Sequence, residues 1–195
     1  MTPSPSESDV VTHPLQEFAD SVAAAVDGQA EIHFDTVKVI VSPESWVNAH
    51  SVARDDLDLV FFSWLSAIDW ANEVEAGDTL KDEVEERIEL LSTVGDLSEG
   101  KRVTFSTTLD SEAPEIATLV EVYAGANWHE RESAEMFGIA FDGHPDLTKL
   151  YLPDAFQGNP LRKSYPLLSR EVKPWPGSVD VEGMPEGPTT ENPEA

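Results

Sequence analysis

Proline spacing limits what the last quarter of this 195-residue chain can form more than any other sequence feature. Pro145, Pro153, Pro160 and Pro166 recur every six to eight residues. Proline lacks a backbone N–H and its ring collides with the preceding helical turn, so this spacing excludes long helices and central strands. From residue 144 onward we therefore predict extended chain lying on a surface. It divides into an extended docking segment at 151–175 and a flexible tail at 176–195.

Ahead of this proline-punctuated segment, hydrophobic periodicity predicts one α+β domain at residues 14–150, after a disordered lead-in at 1–13. We expect a small antiparallel or mixed sheet with flanking helices. The predicted helices are 15–26, ended by a left-handed Gly28; one opened by Ser42 as N-cap; 113–126; and 128–137, capped by Asn127 and ended by Gly138. The predicted strands are 30–34, 37–41 and an antiparallel pair near 84–90 and 103–105, with 59–70 as a short helix passing into a strand and 73–86 as a solvent loop.

Several kinds of chemistry are excluded by what the sequence lacks. Cysteine is absent, which excludes disulfides, thiolate catalysis, cysteine-bound zinc and ordinary iron–sulfur clusters on this chain. No glycine-rich loop that could cradle a phosphate occurs. The most apolar stretch, 59–68, is about half as long as the roughly 20 residues of a membrane-spanning helix. Residues 1–14 lack the basic and apolar regions of a secretory signal, so we predict a cytoplasmic location.

Charge is distributed unevenly along the chain. The net charge of −26 argues against nucleic acid or anionic lipid as a partner, since both would be repelled. Residues 125–177 hold seven acids and six bases, whereas the remainder holds 31 acids and six bases. The acidic part is typical of a solvated surface. The nearly neutral segment is therefore the candidate for contact with another molecule.

The densest cluster of functional side chains runs from Trp128 to Gly138. His129 and Glu130 begin the His-Glu-x-x-His pattern of zinc-dependent hydrolases, in which two histidines four apart bind one metal ion. Ser133 stands where the second histidine would be, so we do not expect a zinc site.

Acid–base chemistry is the other possibility in this cluster. Glu132 and Glu135 lie three residues apart and would share a helix face, as an acid–base pair requires. We favour an ion-pair cluster instead, in which Arg131 reaches Glu135 one turn later. The remaining enzyme hypothesis is a stand-alone hydrolase that uses His129, Glu132 and His144.

Two features lie farther along the chain. A turn is predicted at Gly143, His144 and Pro145, because glycine and proline favour turns. A lone histidine in a turn, such as His144, is more often structural than catalytic. Arg162 and Lys163 form a basic pair in an extended stretch. We expect this pair either in solvent or bound to carboxylates of a partner or of the acidic body.

Five linked blocks of sequence resemble, in order and spacing, the signature of the thirty-kilodalton subunit family of respiratory complex I, the NADH-quinone oxidoreductase. The blocks are 126–132 (ANWHERE), 135–139 (EMFGI), 143–147 (GHPDL), 150–153 (LYLP) and 158–167 (GNPLRKSYPL). Farther upstream, Ile68-Asp69-Trp70 looks like the family's short motif. The resemblance marks a set of signature or partner-interface residues: Trp128, Glu130, Arg131, Glu132, Glu135, Phe137, Gly138, His144, Pro145, Leu161, Arg162 and Lys163.

The resemblance implies a structural and docking subunit in the peripheral arm of a proton-translocating NADH-quinone oxidoreductase. It implies packing on the quinone-reacting subunit, near the subunit with the terminal iron–sulfur cluster, on the cytoplasmic side of the cell membrane. No cofactor is expected on this chain, while iron–sulfur clusters, FMN, NADH and quinone belong to partner subunits. Related membrane-bound hydrogenases and deazaflavin-coenzyme dehydrogenases use a similar subunit and remain an alternative.

Three positions depart from the family pattern. The family usually has Asp at the position of Glu135, His at that of Asn159 and Asp at that of Ser164. Glu135 keeps the charge. Asn159 and Ser164 remove groups that could titrate or form ion pairs.

Overall fold

The computed structural model describes residues 13–72 and 82–166. Three parts of the chain lie outside the described residues. They are 1–12 of the predicted lead-in, 73–81 of the predicted loop at 73–86, and 167–195, which holds the end of the docking segment and the tail. Within the described part, no helix is long and apolar enough to cross a membrane.

A five-stranded mixed sheet forms the centre of the fold, with the order β1-β2-β5-β4-β3. The strands of this sheet are β1 (Gln29–His33), β2 (Thr36–Ile40), β3 (Phe61–Asp69), β4 (Ile88–Gly95) and β5 (Arg102–Leu109). Only β2 and β5 pair in parallel; the other neighbours are antiparallel. A second, two-stranded parallel sheet joins β6 (Glu115–Ala117) to β7 (Ala140–Asp142). The predicted α+β class is confirmed.

Three helices cover one face of the main sheet: α1 (Gln16–Val26), α2 (Trp46–Asp55) after a 3₁₀ turn at Pro43–Ser45, and α3 (Ala126–Phe137). His50 of α2 packs on Phe105 of β5, and His129 of α3 packs on Phe62 of β3. Side chains paired across strands share a face, so Val37, Val103 and Val94 continue the same covered surface. The core lies between this face and the helices. We call the opposite face, which carries Phe61, Trp64, Thr93, Arg102 and Thr104, the open face.

The first two helices and the first hairpin follow the predictions closely. Ser42 caps the 3₁₀ turn as expected, accepting a hydrogen bond from the Ser45 N–H. The expected left-handed Gly28 is wrong, because Asp27 takes that conformation, with φ of 55°. Gly28 serves close packing instead, since a Cβ there would lie 2.7 Å from a methyl group of Val39.

Two segments differ from the predicted elements. The helix expected at the start of 59–70 is wrong, since Phe61–Asp69 pairs with β4 as a strand in which Leu65, Ala67 and Asp69 are buried. The helix expected at 113–126 is also wrong, because Glu115–Ala117 pairs with β7. There, contacts to distant strands outweigh a local helical pattern.

Candidate docking site on α3

Helix α3 and its C-cap supply seven of the twelve signature residues, and the helix ends as the sequence predicts. Gly138 is the left-handed C-cap, with φ of 75°. A Cβ on Gly138 would lie 2.6 Å from the side-chain nitrogen of Asn159, so both the backbone angle and the packing require glycine. The predicted Asn127 cap is wrong, since the N-cap is Gly125 and no side chain caps the helix.

Glu135 fixes the start of the docking segment to α3. Its carboxylate accepts backbone N–H hydrogen bonds from Leu150 at 2.8 Å, Tyr151 at 3.1 Å and Leu152 at 2.5 Å. Burial disfavours the charged form, but these backbone donors outweigh it and lower the pKa of Glu135 below its usual value. A carboxylate held by three backbone donors makes the position of residues 150–152 specific.

Glu130 and His144 meet inside the protein, between α3 and the turn at Gly143. The Glu130 carboxylate accepts from the Thr118 hydroxyl and, at 2.6 Å, from the Leu119 N–H. His144 Nε2 lies 3.8 Å from Glu130, and both side chains are shielded from solvent. Burial raises the pKa of Glu130 to about 7, although the two hydrogen bonds act in the opposite direction.

Arg131 does not form the expected ion pair with Glu135. Its guanidinium donates to the backbone carbonyl and hydroxyl of Thr148, both at 2.8 Å, and lies 5.0 Å from the ring centre of Trp128. The predicted cluster is wrong because Glu135 is engaged by backbone N–H groups. Arg131 therefore holds Thr148, just ahead of the docking segment, against α3.

Arg162 and Lys163 also bind the protein's own body. Arg162 donates to the carbonyls of Phe137 and Ser111, both at 2.6 Å. The Lys163 backbone N–H donates to the Asp69 carboxylate at 2.9 Å, and its ammonium group lies 3.2 Å from the Ala71 carbonyl. The structure thus connects the upstream motif Ile68-Asp69-Trp70 to the signature block at 158–167.

The remaining signature residues occupy different environments. Phe137 is a core residue, Pro145 is exposed, and Glu132 is half-buried. Four large apolar side chains are exposed on α3, in the 143–147 block and in the docking segment. We call them the signature surface: Trp128 (62% exposed), Leu147 (41%), Tyr151 (65%) and Leu161 (53%). Sequence analysis named Trp128 and Leu161 as interface residues; it placed Tyr151 and Leu147 in signature blocks but not in the interface set.

The arrangement gives the hydrolase hypothesis little support. Both ring nitrogens of His144 face backbone groups, the Asn127 carbonyl and the Asp146 N–H, within a buried side chain. The carboxylate beside His144 is that of Glu130, which that hypothesis does not use. No group of three potential metal-binding side chains occurs within residues 13–72 and 82–166.

Comparisons with known proteins agree on one family. Residues 39–171 match the family model described as respiratory-chain NADH dehydrogenase, 30 Kd subunit. An NADH-quinone oxidoreductase subunit of Roseiflexus sp. (strain RS-1) is 32% identical over 160 residues, covering 81% of this chain and 85% of the relative. The same-named protein of Rhodobacter capsulatus is 35% identical over 157 residues, covering 78% of this chain and 73% of the relative. A solved structure of the trypsin-resistant fragment (1–134) of Nqo5 has the same fold, with a TM-score of 0.54 and 20% identity over 68% of this chain and 98% of that one.

Proposed function

The chain belongs to the respiratory-chain NADH dehydrogenase 30 kDa subunit family, and from this membership we propose that it is a docking subunit of an NADH-quinone oxidoreductase. Its relatives are subunits of such oxidoreductases, so its activity is that of a hetero-oligomeric complex. The chain itself carries no cofactor in this proposal. Iron–sulfur clusters, FMN, NADH and quinone belong to the other subunits. The contacts are with the quinone-reacting subunit and the terminal-cluster subunit, on the cytoplasmic side of the membrane.

The observation that carries the proposal is the division of the signature residues into two groups. Charged side chains such as Glu135, Arg131 and Arg162 are occupied by hydrogen bonds to the protein's own docking segment and body. Apolar side chains of the same blocks, the signature surface, remain exposed. The signature therefore builds a rigid support that presents apolar side chains for contact with another protein.

Preorganisation makes this surface suitable for tight association. Three backbone N–H groups bound to Glu135 hold Tyr151 in place before any partner arrives. The Leu161 N–H likewise donates to the Met136 carbonyl at 3.1 Å. Because the segment is already ordered, little conformational entropy is lost on binding. Each large apolar side chain that a partner buries fully then contributes about 1.5 to 3 kcal/mol.

The test combines Tyr151→Ser and Leu161→Ser in one variant, with Phe34→Ser as its matched control. Phe34 is an exposed apolar side chain at the tip of the β1–β2 hairpin, away from the signature surface. Loss of two buried apolar contacts of at least about 1.5 kcal/mol each, about 3 kcal/mol together, weakens binding by at least about a hundredfold. We expect the double variant to co-purify poorly with the oxidoreductase from membranes while the isolated chain keeps its melting temperature.

Three outcomes would contradict the proposal. Wild-type levels of co-purification by the double variant would show that the signature surface is not a contact. An equal loss in Phe34→Ser would show that the effect is not specific to that surface. Iron, zinc or flavin bound stoichiometrically to the purified chain would contradict the cofactor-free part.

A further inference from the structure

The open face of the sheet carries a groove that the signature surface does not include. Its volume is about 470 Å³, and it lies at the end of the sheet where β5 begins. Phe61 of β3 and Leu97 of the β4–β5 turn form exposed apolar parts of its lining, with Trp64 beside them. The described helices pack on the opposite face, so this groove is open to another molecule.

A glycine stands in the middle of a cross-strand row that lines the groove. Phe61, Gly95 and Arg102 are directly paired across β3, β4 and β5. A Cβ at Gly95 would lie 2.8 Å from the Lys101 carbonyl oxygen and 3.3 Å from Arg102 Cβ, so glycine lets the backbones approach closely here. In the next row, the hydroxyls of Thr93 and Thr104 bond each other at 2.8 Å. The groove is therefore apolar on one side and cationic on the other.

Arg102 is unusual among the basic residues of this acidic protein. The chain has 38 acids and 12 Lys or Arg residues, so most bases can find a partner. Within residues 13–72 and 82–166, the side chain of Arg102 has no hydrogen bond, salt bridge or aromatic partner. The other bases of that part all have one: Lys38, Arg54 and Lys101 pair with carboxylates, Arg87 and Arg131 lie over tryptophan rings, and Lys149, Arg162 and Lys163 bind backbone carbonyls.

Neither acid of the β4–β5 turn binds the Arg102 side chain. Asp96 also lines the groove, but its carboxylate accepts from the N–H and hydroxyl of Ser98, at 2.7 and 2.8 Å, and from the Glu99 N–H. Glu99 in turn pairs with Lys101 at 2.5 Å. Among the described residues, the Arg102 guanidinium thus has no carboxylate directly bound to it, and it lies beside the apolar side chains of the groove.

We infer that this groove binds an acidic segment of a neighbouring subunit of the same complex, one that carries an apolar side chain next to a carboxylate. The apolar side chain packs against Phe61, Trp64 and Leu97, and the carboxylate pairs with the Arg102 guanidinium. This occupant supplies the carboxylate that the Arg102 side chain lacks, whereas a basic segment would leave the guanidinium without a partner. The inference rests on the proposed function, because it requires that the chain sits in a complex.

The experiment uses the whole complex in its membranes, with the photoreactive residue p-benzoylphenylalanine in place of Leu97. After illumination, the crosslinked peptides are identified by mass spectrometry. The matched position is Phe34, which is exposed but does not line the groove. Two variants that each lower the net charge by one are then compared: Arg102→Gln in the groove, and Gln29→Glu at the far edge of the same sheet.

The expected result is a crosslink from position 97, and not from position 34, to a peptide of another subunit that contains a carboxylate beside an apolar residue. Arg102→Gln should lower its yield by about threefold or more, and Gln29→Glu should not, as for a partly exposed charge pair. A crosslink to residues 167–195 of the same chain, a lipid adduct alone, no adduct, or a yield independent of Arg102 would overturn the inference. Co-purification of the chain in the same sample tests the proposed function separately, because an unoccupied groove does not prevent binding through the signature surface.

Discussion

Replacement of Glu130 by glutamine should change how the protein's stability depends on pH. Glutamine keeps an oxygen that can accept from the Leu119 N–H, so the local structure is retained. It removes the one proton that Glu130 binds more tightly in the folded protein than in the unfolded chain. Burial raises the pKa of this carboxyl group from its ordinary value of 4.5 to about 7.

The sign and size of the effect follow from this raised pKa. Below about pH 4.5 the group is protonated in both states, and its contribution to stability is fully present. As the pH rises toward 7, the unfolded chain ionises while the folded protein keeps its proton, so stability is lost. At 1.36 kcal/mol for each pH unit, the loss amounts to about 3 kcal/mol above pH 7. The glutamine variant has no ionisable group at this position, so it does not lose this stability as the pH rises.

The assay is urea denaturation of the wild-type and Glu130→Gln proteins at intervals from pH 4.5 to pH 8. The free energy of unfolding of the variant, minus that of wild type, should increase by about 3 kcal/mol across this range. Subtraction is needed because buried His50, whose pKa burial lowers to about 4, changes stability in the opposite direction over the same pH range. Half-buried Glu132 gives the matched control, since Glu132→Gln removes the same charge from the same helix. A difference that stays constant with pH would refute the reasoning.

Two further predictions concern the anchoring of the docking segment. Glu135→Gln should destabilise the protein by about 1 to 3 kcal/mol and speed amide hydrogen exchange at 150–152 but not in β4, because three N–H groups lose a charged acceptor; unchanged exchange would show that the carboxylate does not hold the segment. Gly138→Ala should cost about 1 to 2 kcal/mol in thermal denaturation from its left-handed backbone alone, and more from the contact with Asn159. Adding Asn159→Ala should restore only the part due to that contact, and complete restoration would mean that the backbone angle costs nothing.

Local chemistry made some elements of the fold predictable. The hairpin strands, the antiparallel pair β4 and β5, the start of α2 at Ser42-Pro43 and the end of α3 at Gly138 all follow from side-chain alternation or from capping and turn preferences. These preferences act within a few residues, so a single sequence contains them. The elements that were wrong depend on distant partners. Residues 61–69 become a strand because β4 pairs with them, and residues 115–117 because β7 does.

The candidate site was predictable as a set of residues but not as a set of contacts. The blocks from 126 to 167 identified the family, which the comparisons confirm. The sequence could not show that Glu135 binds three backbone N–H groups rather than Arg131, because those donors lie 15 to 17 residues away. It also could not show that Glu130, rather than Glu132, lies beside His144, since which side of α3 faces inward is decided by Thr118 and Leu119.

The contact between Lys163 and Asp69 has a consequence for the order of folding events. The two residues are 94 positions apart in sequence, and Arg162 reaches Ser111 across 51 positions. Contacts between residues so far apart in sequence form late. They stabilise the protein only once the chain between them is ordered, because until then the entropy lost on closing the loop exceeds the free energy of the contact. A folding intermediate with a finished sheet would still lack a seated docking segment. Under the proposed function, a molecule becomes able to assemble only after these late contacts have formed.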